Sequence, residues 1–314
     1  TNEGDNTSTD TVSVVSGVKS IVATSEAASS DANVFIGEVV RYRLEIVLPE
    51  CTTTNLQVWD SIVGNMLYLG NPKIAFVSDD GGTCNITSDD VDVAGAGLCI
   101  LGDENTPLSS ITPTFDLVAA QVDNKDDPGN AFGDGEDPIF SFGTITNGDT
   151  DSDDNEYLVI EFNSLVRNVS GNQATNSRGN EFSLRVAGTD VLTSNNVSVT
   201  VIEPVIDNLS KTVSAGPYHP GGTVTYTITF SNTATGAGRA TAFDVNLTDT
   251  VNSDLSVTSV SVVAPTASTA SVVDNSSGND IDIVIGELAP AVDIGSGPTN
   301  VTVTIVADIK ATAS

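Results

Sequence analysis

Apolar and polar residues alternate along several stretches of the chain, and this is the period of a β-strand that buries one face. Clear examples are IGEVVRYRLEIVLPE at 36–50, PGGTVTYTITFSNT at 220–233 and VTVTIVADIKATAS at 301–314. Thr, Ser, Val, Asn, Asp and Gly are abundant while Lys, Glu, Leu and Met are scarce, which favours strands joined by turns over helices. We therefore predict an all-β protein.

The two halves of the chain repeat one another. After a glycine turn, alternating apolar and aromatic residues of the first half align one by one with those of the second half. The aligned pairs are Val40 with Val224, Tyr42 with Tyr226, Leu44 with Ile228 and Ile46 with Phe230. Each half therefore contains the same strand, which we call the Tyr strand.

Two further strands flank the Tyr strand in the same order in each half. A single lysine precedes it, Lys19 in GVKSIVAT and Lys211 in NLSKTVSAG. An aspartate follows it, Asp60 in NLQVWDSI and Asp249 in DVNLTDTV. In the first half Asp60 shares the parity of Leu56 and Val58 and should point into the core, where a lone carboxylate is costly without a partner.

This repetition predicts two tandem β-sandwich domains. Residues 1–17 form an N-terminal extension, 18–203 the first domain and 204–314 the second, with Pro204 restricting the chain between them. The first domain carries an acidic insertion at about 80–155.

Longer motifs resemble a known family. EPVIDNLSKTVS, GGTVTYTITFSNT and ATAFDVNLTDT look like the tandem repeats of bacterial surface proteins called domain of unknown function eleven. YLVIEFNSLVRNVSGNQATNS followed by SNNVSVTVIEP is similar to the closing part of the same repeat. The resemblance implies immunoglobulin-like sandwiches of the kind found in adhesins, fimbria-like proteins and filament components, and it leaves the function open.

The resemblance also implies a covalent cross-link, because related surface domains join a lysine to an asparagine or aspartate with the help of a buried carboxylate. Burial lowers the pKa of a lysine and raises that of an acid, so a neutral amine can attack a polarised carbonyl. In the first domain Lys19 would be the nucleophile and Asp60 the assisting acid. Alternation favours Asn195 as acceptor, and a bulge would bring Asn196 into reach. An ordinary ion pair, or exposure of both residues, is the competing interpretation.

The second domain lacks the end of the first. LVIEFNSLVRNVS at 158–170 aligns with the final stretch at 301–314, after which the first domain continues to residue 203. The second domain keeps Lys211 and Asp249 without this closing segment. An open apolar edge of this kind pairs with other strands.

The start of the chain offers a strand for that edge. In STDTVSVVSG at 8–17, Thr11–Val14 aligns with Asn196–Val199 of the closing segment. We expect a donor strand of Thr11, Val12, Ser13, Val14 and Val15 that fills the second domain of another copy. In this alignment Asp10 replaces Asn195, so Lys211 and Asp10 could bond with help from Asp249. The competing interpretation is a fragment of a longer array of repeats.

The charge of the chain limits its partners. Lys and Arg total 11 against 42 Asp and Glu, a net charge of -31. This disfavours nucleic acid and anionic membranes as partners. No run of 18 apolar residues is present, so we expect no membrane insertion. The first residue is Thr1 and not Met, as in a processed exported protein, and we expect an extracellular location.

The remaining candidate sites are weaker. Of three cysteines, the pair Cys84 and Cys99 is the preferred disulfide. In NGDTDSDDNEY the alternating Asp149, Asp151 and Asp153 suggest calcium, although the glycine and glutamate of an EF-hand are missing and a solvated loop is favoured. No other cofactor is expected. Candidate glycosylation sequons include those at Asn85, Asn168, Asn246 and Asn300.

The motifs of common enzymes are absent. There is no GxSxG, HExxH, P-loop or dinucleotide glycine pattern, and the one histidine, His219, lies in a turn-like setting. We therefore expect a non-enzymatic structural subunit of an extracellular filament that polymerises with itself. The alternative is a segment of a large calcium-stabilised adhesin that binds carbohydrate or protein.

Overall fold

A computed structural model describes residues 16–27, 29, 32–78, 84–93, 99–101, 107–117, 121–123, 137–148, 155–265 and 272–311. Several predicted residues lie outside this part of the chain: Asp10, the donor strand Thr11–Val15, and the calcium candidates Asp149, Asp151 and Asp153. Within the described ranges, no helix has the length and apolar character needed to cross a membrane.

The described residues form β-strands joined by turns, with short 3₁₀ turns at Leu108–Ser110 and Ala291–Asp293. This confirms the all-β prediction. The chain divides into two compact units, which we call unit 1 (within residues 1–172 and 177–200) and unit 2 (within 173–176 and 201–314).

Unit 1 consists of two sheets. In the described residues, one sheet has the order β1-β3-β12-β6-β8, with β5 on β12 and β9 on β6. The other has the order β10-β11-β4-β13-β15-β2, with β7 on β11 and β14 on β13. The strands are β1 (Gly17–Thr24), β2 (Asn33–Val34), β3 (Val39–Leu48), β4 (Cys51–Ser61), β5 (Met66–Tyr68), β6 (Lys73–Ser78), β7 (Ile86–Ser88), β8 (Cys99–Leu101), β9 (Phe115–Asp116), β10 (Val122–Asp123), β11 (Ile139–Asn147), β12 (Glu156–Val166), β13 (Ser177–Val186), β14 (Thr189–Thr193) and β15 (Val197–Val201).

The core of unit 1 lies between these sheets. Aromatic rings contact across the gap: Phe162 of β12 lies 5.8 Å from Phe140 of β11, centroid to centroid, and Phe76 of β6 lies 6.3 Å from Phe142 of β11. Alternate side chains of β3, including Leu44 at 0% exposure, point into the same space. Unit 1 is therefore an immunoglobulin-like β-sandwich.

Unit 2 also has two sheets facing one apolar core. The described residues give the orders β16-β17-β22-β19 and β18-β21-β20. Its core combines Ile228 and Val303 from the first sheet with Ile283 and Leu288 from the second. The strands are β16 (Ile206–Val213), β17 (Thr223–Asn232), β18 (Ala242–Thr250), β19 (Leu255–Val263), β20 (Val273–Asp274), β21 (Asp280–Leu288) and β22 (Val301–Ile309).

The strands of the two units correspond in order and register. The run β16-β17-β22-β19 repeats β1-β3-β12-β6, and the pair β18-β21 repeats β4-β11. Lys19 pairs with Leu44 across the ladder, and Lys211 pairs with Ile228 at the equivalent point. The alignment made from sequence is therefore also a structural alignment. Among the described residues, unit 2 contains no counterpart of β13 beside β18.

Candidate cross-linking site and open strand edge

Lys19 and Asp60 meet in the core of unit 1. Strand β1 turns Lys19 inward and β4 turns Asp60 inward, so that both side chains have 0% exposure. The Lys19 Nζ donates a hydrogen bond to Asp60 Oδ2 and lies 4.9 Å from the centroid of the Tyr42 ring. The other carboxyl oxygen, Oδ1, is buried and has no hydrogen-bond partner among the described residues. The core thus holds an amine and a carboxyl shielded from water.

Burial moves the pKa values of this pair toward each other. It lowers the pKa of Lys19 from 10.5 to about 8, although Asp60 acts in the opposite direction. Burial also raises the pKa of Asp60 above its usual value, and the nearby Lys19 opposes that rise. Both shifts favour the neutral pair, in which the amine has a free lone pair and the carboxyl carries a proton. This arrangement provides a nucleophile beside an acid.

Asn180, which neither alternation nor the repeat alignment predicts as a site residue, lies beside Asp60. Strand β13 runs beside β4 with Phe182 opposite Asp60, so Asn180 lies two residues away on the same inward face. Its side chain is buried at 3% exposure, and neither amide atom makes a hydrogen bond of good geometry with a described residue. The amide is nonetheless close to Asp60 and Tyr42: burial raises the pKa of both groups, and Asn180 acts to lower them. A buried amide close to Asp60, which itself accepts from Lys19, is suited to receive the amine.

The two asparagines chosen from sequence occupy other positions. Asn195 is exposed, and its side chain binds the backbone of Lys19: Oδ1 accepts from Lys19 N at 2.8 Å and Nδ2 donates to Lys19 O at 2.9 Å. Asn196 is also exposed. Neither asparagine takes the place beside Asp60 because of the strand order: β15 pairs with β13 and β2 and does not border β4. The alternation Asn180, Phe182, Leu184 was the sequence signal that could have found the buried amide.

Removing Asn180 should leave Lys19 as an unusual titrating lysine. In an Asn180→Ala variant we expect the Nζ of Lys19 to titrate near pH 8, measured by NMR of labelled lysine, instead of 10.5. Because the unfolded chain still binds this proton between about 8 and 10.5, the contribution of Lys19 to the free energy of unfolding should rise with pH across that window. Below about 8 the cost of charging the buried amine is fully present. A normal lysine pKa with no such rise would contradict the buried site.

Unit 2 repeats the pair in an open form. Lys211 Nζ lies 2.6 Å from Asp249 Oδ2 and 5.0 Å from the centroid of the Tyr226 ring, close to the arrangement of Lys19, Asp60 and Tyr42. The exposure differs, however. The side chain of Lys211 is 41% exposed and that of Asp249 18%. The same residues are therefore present without the cover that unit 1 provides.

Within the described residues of unit 2, no strand takes the place of β13. Strand β18 pairs with β21 on one side, and the described residues supply no strand on the other. Leu247 is only half-buried, whereas its equivalent Val58 in unit 1 has 0% exposure. On the facing strand β16, Leu209 is 70% and Val213 50% exposed. An apolar groove with an unpaired strand edge follows from this arrangement.

The structure also locates the other candidate residues. Cys84 and Cys99 form a disulfide with a Cα–Cα distance of 6.1 Å, while Cys51 is exposed and unpaired. In the described part of the chain, no three His, Cys, Asp or Glu residues are grouped to hold a metal ion. The sequon residues Asn168, Asn246 and Asn300 are exposed, Asn85 is half-buried, and His219 is exposed.

Comparison with known proteins gives matches among solved structures at low sequence identity. No model of a known protein family matches the chain, and no curated protein matches it either, so membership of the domain of unknown function eleven remains a prediction. The C-terminal domain of the antigen I/II polypeptide BspA from Streptococcus agalactiae matches at 13% identity and a TM-score of 0.42, covering 94% of this chain and 91% of that one.

Two pilins give partial matches. BcpA, the major pilin subunit of Bacillus cereus, has 11% identity and a TM-score of 0.33 over 74% of this chain and 63% of its own. The pilus backbone RrgB of Streptococcus pneumoniae has 10% identity and a TM-score of 0.31 over 55% of this chain and 31% of its own. This chain therefore spans about a third of RrgB. The titles of the two pilin structures name a pilus backbone and a major pilin subunit.

Proposed function

We propose that the chain is a structural subunit of an extracellular filament of the pilus or fimbria type, which polymerises with itself by donating a strand from one copy to unit 2 of the next. The observation that carries this proposal is the edge of β18, which is unpaired among the described residues although its equivalent β4 is covered by β13. A free strand edge above an apolar groove is completed by an added strand, since the backbone hydrogen bonds and the apolar contacts form together.

Strand donation of this kind produces a linear polymer. The donor is at the beginning of the chain and the acceptor edge lies in unit 2, so each contact joins two different surfaces. A head-to-tail contact does not close on itself unless its rotation forms a ring, and it extends into a filament. The net charge of -31 keeps copies apart except where complementary surfaces meet.

Unit 1 would supply mechanical strength through a Lys19–Asn180 amide bond. The neutral Nζ of Lys19 attacks Cγ of Asn180 while the protonated carboxyl of Asp60 polarises the carbonyl oxygen. The bond from Nζ to Cγ forms, the bond from Cγ to the amide nitrogen breaks, and ammonia leaves with a proton from the amine. The product ties the first strand β1 to β13, so that unit 1 cannot be pulled open at that point without breaking a covalent bond.

Deleting residues 1–16 tests the filament proposal. We expect the full chain to form polymers visible by electron microscopy and the shortened chain to sediment as a single subunit, because the donor strand is gone while both units remain. A shortened chain that polymerises as well as the full one would contradict the proposal. A full chain that stays single and binds calcium would instead favour a segment of a calcium-stabilised adhesin.

A further inference from the structure

We infer that the strand completing unit 2 is residues 10–14 of a second copy of this chain, added beside β18 in the register that β13 has beside β4. This inference rests on the proposed strand donation and specifies its partner and register. We call the open position beside β18 the slot. Comparison of the two units defines it: in unit 1 β13 covers β4, whereas the described residues of unit 2 leave the same edge of β18 without a strand.

The slot requires a copy of β13 and not of the closing strand β15. Sequence alignment placed Thr11–Val14 on Asn196–Val199, which belong to the segment of β15. In unit 1, however, β15 pairs with β13 and β2, so a strand equivalent to β15 would have no contact with β18. The strand that reaches the Lys211–Asp249 pair must take the place of β13.

Residues 10–14 have the pattern of β13. The inward positions of β13 carry an amide followed by two apolar side chains, at Asn180, Phe182 and Leu184. Asp10, Val12 and Val14 present a carboxyl followed by two apolar side chains at the same spacing. In unit 1 Phe182 lies opposite Asp60 and Leu184 opposite Val58. The same register sets Val12 opposite Asp249 and Val14 opposite Leu247, with Asp10 in the position of Asn180.

Side-chain volumes support this register. In unit 1 the large Phe182 lies against Gly17, where an added Cβ would come within 2.7 Å of the ring. In unit 2 the place of Gly17 falls at a bulge of β16, where Asn208 and Leu209 together lie opposite Phe230. Neither residue is a glycine that would make room for a phenyl ring, and the smaller Val12 would cover Leu209, which is 70% exposed. In unit 1 a small residue of β1 packs against a large residue of β13. In unit 2 a large residue of β16 would pack against a smaller residue of the donor strand, so that the combined side-chain volume stays similar.

The charges at the slot suit Asp10. Lys211 lies 2.6 Å from Asp249 and is 41% exposed beside the open edge, so Asp10 would approach the same amine from the side that Asn180 occupies in unit 1 and share it with Asp249. Asp10→Asn would reproduce the side-chain type of unit 1 and should still assemble. Val12→Asp should abolish assembly, because it puts a carboxylate into an apolar groove.

Paired cysteines test the register. Ser183 lies opposite Trp59 in unit 1, and the equivalent positions are Ser13 in the donor and Thr248 in β18. In a Cys51→Ser background, a Ser13→Cys protein is assembled with a Thr248→Cys protein under oxidising conditions. We expect a disulfide-linked heterodimer on non-reducing electrophoresis, because directly opposed residues in antiparallel strands have close Cβ atoms. Partners carrying Asn246→Cys or Thr250→Cys are the matched register controls and should cross-link several-fold less.

The outcomes separate the register from the function. Stronger cross-linking of Ser13→Cys to either control position, with polymers still formed, would overturn the register while leaving strand donation intact. Polymers without any cross-link would show that residues 10–14 are not the strand beside β18, which also overturns the inference. Absence of polymers in the unsubstituted chain would remove the proposed function itself.

Discussion

The purified chain is expected to weigh about 17 Da less than the mass of its sequence with the Cys84–Cys99 disulfide included, because the Lys19–Asn180 bond releases one ammonia. Lys19→Ala and Asn180→Ala should each abolish the deficit, so that each variant has the full mass of its own sequence. Asp60→Ala should do so as well, or slow the reaction strongly, since the acid that polarises the carbonyl is removed. Proteolysis of the unsubstituted chain should yield one branched peptide that contains both residues.

The same bond should dominate the stability of unit 1. It closes a loop of about 160 residues, and the entropy estimate for a cross-link of that length is about 5 kcal/mol. Asn180→Ala should therefore lower the free energy of unfolding by several kcal/mol. Asn195→Ala is the matched control: it removes two hydrogen bonds to the Lys19 backbone, should cost about 1–2 kcal/mol and should keep the mass deficit. A full sequence mass in the unsubstituted chain, or a deficit lost only in Asn195→Ala, would contradict this site.

Moving the donor strand to the other end of the chain should convert a polymer into a stable single subunit. In this variant residues 1–16 are removed and residues 8–16 are attached after Ser314 through a short glycine–serine linker. The strand can then fill the groove of its own unit 2 and cover Leu209, so the chain no longer needs a neighbour. A gain of about 2–3 kcal/mol in a unit of roughly 110 residues raises the melting temperature by roughly 10–20 °C.

The variant with Val12→Asp in the moved strand is the control for this experiment. It has the same length and linker. Its melting temperature should nevertheless equal that of the chain that only lacks residues 1–16, because the carboxylate prevents insertion of the strand. Differential scanning calorimetry gives the melting temperature of unit 2 separately when the two units unfold in separate transitions. Continued polymerisation of the self-complemented variant, with an unchanged melting temperature, would mean that residues 8–16 do not complete unit 2.

Local pattern was sufficient to predict the strands that carry the paired residues. Alternation placed Tyr42 and Leu44 on one buried face, and the match with Tyr226 and Ile228 is reproduced by the ladder registers of β3 and β17. The same alternation placed Asp60 toward the core, where it meets Lys19. These inferences depend only on the period of a strand, which the sequence carries directly.

Strand order could not be read in the same way. Alternation states which face a residue occupies but not which strand lies beside it, so Asn195 was chosen because it had the expected parity in the last strand. The structure places β13 between β4 and β15, and the buried amide beside Asp60 is therefore Asn180. The same limit applies to the proposed donor strand: Thr11–Val14 aligns in sequence with the segment of β15, whereas the open edge of β18 corresponds to the place of β13. Long-range pairing, which sequence period does not encode, decides both assignments.

Hydrogen exchange of β18 tests most directly whether a donated strand completes unit 2. Amides of residues 245–250 would be compared by mass spectrometry in the chain lacking residues 1–16, in the same chain with a peptide of residues 1–16 in excess, and in the assembled full chain. We expect the amides that face the open edge to exchange fast in the shortened chain and at least about tenfold more slowly both with the peptide and in the polymer, because these backbone groups become paired. Equal exchange in all three samples, or protection confined to another strand, would contradict it.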